Sequence, residues 1–221
     1  MLFSNQYRIS DLGGSRMSLP HQQEINCPNC GSPISFTVWD SINTMIPTAI
    51  SDIISGKLFD IECEKCGFKT RIDYPILFND MEHHVMIYYI RPEQMDETTQ
   101  AASVMRMIGS QVRIVMSQNE LIEKVMIFNA GLDDRIIELV KILTLEELSE
   151  QLQGRNVDTV YFDKHDGDYR FVLIMDGQQA SVGINIDSVN ALAESMKQSL
   201  TEAKPEFIVD RKWAERFMSS F

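Results

Sequence analysis

The sequence lacks cysteines outside two Cys-x-x-Cys pairs, which leaves none for disulfide bonds, and it lacks a long apolar run. Its 221 residues include only four cysteines, and these fall in two Cys-x-x-Cys pairs, which is more typical of a metal site than of a disulfide framework. No apolar segment approaches the roughly 20 residues that span a bilayer. The polar stretch 1–20 lacks the apolar core of a secretory signal. We therefore expect a protein of the reducing cytoplasm.

Clusters of basic residues are also absent. The sequence has 32 acidic and 20 basic side chains, and its formal net charge is −12. The acidic excess is even, with 10 acidic against 6 basic residues in 1–90, 11 against 7 in 91–157, and 11 against 7 in 158–221. Binding to a nucleic-acid backbone depends on clustered Lys and Arg, so we expect no nucleic-acid partner.

The motifs of common enzyme classes are missing as well. The sequence has no glycine-rich phosphate loop, no Gly-x-Ser-x-Gly and no His-Glu-x-x-His. The adjacent His83 and His84 would point to opposite faces of a strand, which suits one metal ion poorly. If the protein is an enzyme, Asp40 and Asp73 are the residues that we would assign to an acidic site. With no nucleophile and base pair in evidence, we expect a protein without catalytic activity.

The four cysteines form two matching motifs, Cys-Pro-Asn-Cys-Gly and Cys-Glu-Lys-Cys-Gly. Two cysteines three residues apart can reach one ion because the turn between them points both sulfurs the same way, and the glycine that follows supplies a positive φ. Four thiolates fill the tetrahedral shell of Zn²⁺. We predict a structural zinc site at Cys27, Cys30, Cys63 and Cys66, with iron binding or a redox dithiol as alternatives.

The apolar residues, 44% of the chain, indicate a folded α+β protein. Alternating apolar residues predict a strand over 34–42, and a run of apolar residues predicts a buried strand over 85–90. Between the cysteine pairs, Pro47 and Gly56 mark the start and stop of a short helix. Up to Arg91 we therefore expect a zinc-ribbon-like antiparallel β unit with an inserted helix.

After this β unit the sequence predicts a linker, a helical hairpin and a second α+β unit. Polar residues dominate 91–102, which we interpret as a linker or mobile loop. A capping box of Ser117 and Glu120 begins the first helix of the hairpin, and the second helix carries a wide apolar stripe over 136–143. Two Asp-Gly turns predict three antiparallel strands, followed by a helix over 188–202.

These predictions divide the chain into four segments. They are 1–24, a disordered or leader N-terminus; 25–91, the zinc-ribbon-like β unit; 92–154, a linker and helical hairpin packed on that unit; and 155–221, a C-terminal α+β domain with an antiparallel sheet and helices. Gly13 and Gly14 lie shortly before Met17, and the codons of two such glycines can form a ribosome-binding site. Met17 and Met1 are thus both candidates for the natural start.

Segments on both sides of the cysteine motifs carry a family resemblance. Beside the motifs themselves, these segments are 38–43, 56–59, 73–75, 86–89, 119–124 and 131–135. Together they resemble the CpXC domain family of bacteria and archaea over about 25–143. The resemblance implies metal binding at the four cysteines and carries over no catalytic residue. One departure is Glu64, which stands where proline is commoner in the family.

Three functions fit these observations. The first is a non-enzymatic zinc-binding module that contacts a protein partner or a second copy of itself, through the apolar stripe over 136–143 and four aromatic residues: Trp39, Tyr74, Tyr88 and Tyr89. The second is an enzyme with an acidic site between the zinc unit and the C-terminal domain. The third is a nucleic-acid-binding zinc ribbon, which rests on fold analogy alone. We expect the first.

Overall fold

A computed structural model describes residues 18–152 and 154–220. Within these ranges the protein has the expected α+β fold. The strands are β1 Leu19–Asn26, β2 Pro33–Asn43, β3 Asp60–Glu62, β4 Lys69–Arg71, β5 Ile76–Asp80, β6 Val85–Tyr89, β7 Gln111–Val115, β8 Thr159–His165, β9 Asp168–Met175 and β10 Gln178–Gly183. The helices are α1 Ala49–Ile54, α2 Met95–Met107, α3 Gln118–Asn129, α4 Asp134–Glu147, α5 Ser149–Leu152, α6 Ile186–Glu202 and α7 Arg211–Met218.

The first sheet has the strand order β1-β2-β5-β6-β7 and is mixed rather than purely antiparallel. Strands β1 and β2, and also β5 and β6, pair antiparallel, whereas β2 pairs with β5, and β6 with β7, in parallel. Parallel neighbours need a crossover connection. Helix α1 and the β3–β4 hairpin lie in the first crossover, and α2 lies in the second.

The structure has a helix, α2, where the sequence predicted a linker or mobile loop over 91–102. A 3-10 turn at Pro92–Gln94 leads directly into the helix. The helix buries only Thr98 and Ala102, and it leaves Asp96, Glu97 and Gln100 exposed. Its small buried face explains why the apolar pattern was too weak to predict it.

The N-terminal segment also differs from the prediction of disorder or a leader over 1–24. Residues 19–26 form β1, which pairs with β2 along its whole length. Backbone hydrogen bonds hold this edge strand in place although most of its side chains are exposed. Residues 1–17, and with them the choice between Met1 and Met17 as the start, lie outside the described residues.

The second sheet is the predicted antiparallel meander, with the order β10-β9-β8. In both hairpin turns the aspartate and the glycine have positive φ, at 50° and 91° for Asp166 and Gly167 and at 50° and 72° for Asp176 and Gly177. Two successive positive φ angles characterise the tight hairpin turn that suits the twist of the strands. Helices α4, α6 and α7 pack into the same apolar core as this sheet.

Helix α3 contributes to both of the large apolar cores. Leu121 and Val125 belong to the core of the first sheet, and Met126 and Ile127 to that of the second. Helix α4 buries its apolar stripe in the second core, where Ile137 is completely buried. The stripe over 136–143 is therefore internal and does not form the exposed contact surface that the sequence predicted.

Within the described ranges, no helix is long and apolar enough to cross a membrane.

Candidate metal centre

The four cysteines lie at the tips of two β-hairpins. Cys27 directly follows β1 and Cys63 directly follows β3, and each Cys-x-x-Cys turn leads into the returning strand. The two turns have the same backbone hydrogen bonds. The amide of Cys27 donates to the carbonyl of Ser32 at 2.8 Å, and that of Cys63 to the carbonyl of Phe68 at 2.9 Å. The sequence thus builds the same cysteine turn twice, 36 residues apart from Cys27 to Cys63.

A glycine with positive φ closes each of these turns. Gly31 and Gly67 both have a φ of +70°, a conformation that costs other residues free energy. Their amides donate to the carbonyls of Cys27 and Cys63, at 2.9 and 2.8 Å. The glycines in the sequence motif therefore serve the backbone geometry that points both sulfurs of a pair toward one centre.

The structure brings all four predicted ligands together. Their Sγ atoms lie within 4.8 Å of one another, with 3.6 Å between Cys27 and Cys66 and 3.7 Å between Cys30 and Cys63. Zn–S bonds of about 2.3 Å in a tetrahedron would separate the sulfurs by about 3.8 Å. The arrangement, which we call the four-cysteine cluster, can hold one metal ion without large movement.

The sulfur contacts of 3.6 and 3.7 Å each join one hairpin to the other. A redox dithiol would instead pair the two cysteines within one Cys-x-x-Cys motif. All four thiols are free, and the sulfur separations far exceed the roughly 2.05 Å of a disulfide bond. The geometry therefore favours a shared ion over a redox pair.

The environments of the four thiols differ. Cys27 and Cys63 are buried against a small apolar cluster that includes Ile34 and Ile61, and the other two thiols are exposed. The hydroxyl and amide of Ser32 lower the pKa of Cys30 to about 6, whereas burial raises the pKa of Cys63 to about 11. Because a metal binds thiolates, ion binding must displace the proton of Cys63 and should weaken as the pH falls.

The two aspartates of the predicted acidic site, Asp40 and Asp73, contact different side chains. Asp40 contacts His21, with 3.2 Å between the carboxylate and the ring nitrogen. Asp73 accepts hydrogen bonds from the hydroxyl of Tyr89 and the side-chain amide of Gln118. Each carboxylate thus has its own separate partners.

The two adjacent histidines do not form a metal site either. His83 contacts the buried carboxylate of Asp80 at 2.7 Å, and this contact raises its pKa. His84 has a φ of +55° in the turn before β6. Among the residues that the structure describes, only the four-cysteine cluster has the His, Cys, Asp and Glu side chains needed to hold an ion.

The aromatic residues expected on the surface are largely enclosed. Tyr74 is 8% exposed and donates its hydroxyl to the carbonyl of Leu58, and Tyr89 is 5% exposed. Trp39 and Tyr88 are half-buried. Tyr74 and Tyr89 therefore support the fold, whereas Trp39 and Tyr88 keep part of their surface accessible.

Sequence reasoning missed a cluster of buried charges between α3, α4 and β7. The cluster contains three carboxylates and three cationic groups, and we call it the ion cluster: Arg113, Glu123, Lys124, Asp134, Glu138 and Lys141. A signal was present in α4, where acidic and basic residues at positions 134, 138 and 141 follow the helical spacing of a single face. That face also carries part of the apolar stripe.

The fold and the cysteine geometry define an α+β protein with a four-cysteine centre in a zinc-ribbon-like unit. The family model described as CpXC protein matches residues 25–141, more than half of the chain. The protein therefore belongs to the CpXC family, as the resemblance indicated. A search of curated proteins and a search of solved structures each gave no match.

Proposed function

We propose that this protein binds one structural Zn²⁺ ion at the four-cysteine cluster and acts as a non-enzymatic interaction module. The observation that carries the zinc assignment is the set of four sulfurs, all within 4.8 Å of one another, that two hairpins supply. Sulfur ligands in this geometry suit Zn²⁺ better than the hard cations Mg²⁺ and Ca²⁺. Because cysteines fill all four positions, the ion has no site for substrate or water and its role is structural.

The ion joins the β1–β2 end of the first sheet to the β3–β4 hairpin. Beside the cysteines, a small apolar cluster also connects these two parts. Strands β3 and β4 form a two-stranded sheet of three residues each, which is too small to be stable alone. Cys27 and Cys30 anchor the ion to the larger sheet, and Cys63 and Cys66 anchor it to this hairpin. Binding of a structural zinc ion supplies about 10–16 kcal/mol in isolated zinc fingers, so it can fix the hairpin in place.

The variant Cys63→Ser tests the zinc assignment. We expect purified wild-type protein to contain one zinc per chain by elemental analysis, and Cys63→Ser to lose the zinc and unfold at a lower temperature, because a buried ligand is removed. Ser35→Ala, an exposed change on β2, is the matched control and should keep both properties. Full zinc content with unchanged thermal stability in Cys63→Ser would contradict the proposal, and iron in place of zinc would correct it.

The exposed end of α2 supports the interaction role. Val104, Met107 and Ile108 are 49%, 79% and 72% exposed, respectively. Large apolar side chains grouped on a surface mark many protein contact sites. We propose that this end of α2 binds a second copy of the chain or a protein partner.

Analytical ultracentrifugation of the double variant Met107→Asp/Ile108→Asp tests this surface. We expect the wild type to self-associate and the double variant to be monomeric, because two carboxylates would be buried in the contact. Met45→Asp, which changes an equally exposed methionine elsewhere, should associate like the wild type. If the wild type is a monomer at high concentration, self-association is wrong and a different protein remains as the proposed partner.

A further inference from the structure

A cavity lies beside the ion cluster, between α3, α4, β8 and the segment 208–212. Its volume is about 480 Å³, within the range of pockets that hold small molecules. Most of its accessible lining is apolar, from side chains that include Val115, Ile142, Leu145 and Val160. The CpXC-matching region supplies one side of the cavity, and the C-terminal region supplies the other.

Charged groups of the ion cluster form the inner wall of this cavity. Glu123, Lys124, Glu138 and Lys141 all line it, although each is only 3–6% exposed. The ammonium of Lys141 lies 2.7 Å from Oε1 of Glu123 and 2.9 Å from Oε1 of Glu138. With Asp134 and Arg113 behind them, the buried groups have equal numbers of positive and negative charges.

Some hydrogen-bonding capacity of this wall remains available to a ligand. Lys124 has three acceptors for its three hydrogens: Asp134 at 3.0 Å, Glu138 at 3.3 Å and the carbonyl of Val209 at 2.7 Å. Lys141 has two acceptors, so one of its hydrogens has no acceptor in the ion cluster.

The contacts of Glu123 and Glu138 within the cluster all fall on Oε1. Within the described residues, no fully buried side-chain nitrogen or oxygen lacks a partner. Glu123 and Glu138 both line the cavity, and their second oxygens, Oε2, are the acceptors that we assign to a ligand. The wall thus offers a ligand two acceptors and one donor.

We propose that this cavity binds a small zwitterionic molecule with an apolar side chain, an apolar amino acid being the simplest case. The ligand's ammonium would lie against Oε2 of Glu123 and Glu138, and its carboxylate would accept from Lys141. The apolar remainder would contact Leu145 and Val160. A ligand with a net charge would leave that charge uncompensated beside a balanced wall, which is costly in a buried site.

Two further observations agree with this ligand class. Burial raises the pKa of Glu123, so a ligand ammonium beside that carboxylate would stabilise its charged form. Around the opening both signs of charge are present, on Asp158, Asp210, Arg211 and Lys212, and Arg211 also pairs with Glu215. Glu120, which also lines the cavity, accepts from the amides of Met116 and Ser117.

Three molecules that share one apolar group separate the charge classes. They are L-leucine, 3-methylbutylamine, which lacks the carboxylate, and 4-methylpentanoate, which lacks the ammonium. Calorimetric titration of the full chain should show leucine, or another apolar amino acid of a complete panel, binding at least about tenfold tighter than its amine and acid analogues. The proposal is overturned if no amino acid binds at about 10 mM, or if an analogue binds as tightly as the zwitterion.

Two variants then locate the binding site. Lys141→Met removes one positive charge from the wall and should reverse the preference in favour of the amine. Leu145→Trp fills the cavity without changing the ion cluster and should weaken amino-acid binding at least about tenfold. Met45→Trp, at a position 76% exposed between β2 and α1, is the matched control.

If Lys141→Met fails to fold, as judged by circular dichroism, Leu145→Trp alone decides the location of the site. Unchanged binding in a folded Leu145→Trp protein would overturn the assignment to this cavity. Neither variant touches the four-cysteine cluster, so a negative result here leaves the zinc proposal intact.

Discussion

At the residue scale, Asp134 shows how the fold holds a charge in its interior. It is completely buried, and its two oxygens accept from Nε and Nη2 of Arg113 at 2.7 Å each. The ammonium of Lys124 lies 3.0 Å away. Although burial opposes ionisation, these two cations hold the pKa of Asp134 well below its usual range. The aspartate is therefore charged and fully paired at neutral pH.

Asp134→Asn should lower the free energy of unfolding by about 3–5 kcal/mol, because it leaves the buried Arg113 without its counter-ion and removes one of the two carboxylates that pair with Lys124. Urea unfolding at pH 7 measures this loss. Glu215→Gln is the control. It breaks the exposed pair of Arg211 and Glu215 on α7 and should change the stability by less than about 1 kcal/mol. Equal effects of the two variants would contradict the role assigned to burial.

The ion pair of Asp134 with Arg113 makes the free energy of unfolding depend on pH, and the direction of this dependence follows from the pKa of Asp134. The pKa of Asp134 is lowered in the folded state, so its contribution is fully present above the unfolded value of about 3.9 and declines as the pH falls below it. The difference in unfolding free energy between wild type and Asp134→Asn should therefore shrink between about pH 4 and pH 2. A difference that grew over that range would contradict the assignment.

At the element scale, α3 and α2 differ in how their starts are encoded. Helix α3 begins with the predicted capping box, in which the Ser117 hydroxyl accepts from the amide of Glu120 at 3.2 Å and the Glu120 carboxylate accepts from the amide of Ser117 at 3.2 Å. Helix α2 has no side-chain cap and starts from a 3-10 turn. A complete capping box thus marked the first helix, whereas before the second only Pro92 and the bond from the amide of Arg91 to the Gln94 side chain, at 3.0 Å, mark the 3-10 turn.

Ser117→Ala should lower the free energy of unfolding by about 1 kcal/mol, since the amide of Glu120 loses its acceptor. Ser188→Ala is the matched control, because this serine is exposed in the first turn of α6 and Asn185 provides the cap there. Its effect should stay within about 0.5 kcal/mol. Urea unfolding of both variants tests whether the capping bond matters. A larger loss in Ser188→Ala than in Ser117→Ala would contradict the prediction.

At the scale of the whole molecule, α3 and the ion cluster join two apolar cores. Val125 of α3 packs in the core of the first sheet, and the adjacent Met126 packs in the core of the second. Glu123 accepts from the backbone amide of Phe162 on β8 at 2.5 Å, and Lys124 donates to the carbonyl of Val209. Because α3 contributes side chains to both cores, a movement of α3 away from one core would also expose apolar side chains of the other.

The two tryptophans report on these cores separately, and we expect their unfolding transitions to coincide. Trp39 packs against the first core and Trp213 lies within the second. In the single-tryptophan variants Trp39→Phe and Trp213→Phe, fluorescence and circular dichroism of each protein should give the same urea midpoint. A fluorescence midpoint that differs from that of circular dichroism in either variant would show that the two cores unfold independently.

The sequence by itself determined the features whose causes are local. The two cysteine turns, the capping box at Ser117 and the Asp-Gly hairpin turns each depend on a few neighbouring residues, and the structure has all of them. The four cysteines were also predicted to converge, although 32 residues lie between Cys30 and Cys63. That prediction rested on metal coordination, because one tetrahedral ion would need both motifs at once.

The tertiary structure alone decided the features that depend on distant partners. Helix α2 occupies a polar segment, because β6 and β7 pair in parallel and need a crossover between them. The stripe on α4 is internal because α6, α7 and the second sheet pack into the same core. Asp134 can be buried only because Arg113, 21 positions earlier in the chain, meets it. Such burial depends on which segments meet in space, and a local sequence pattern contains no record of that.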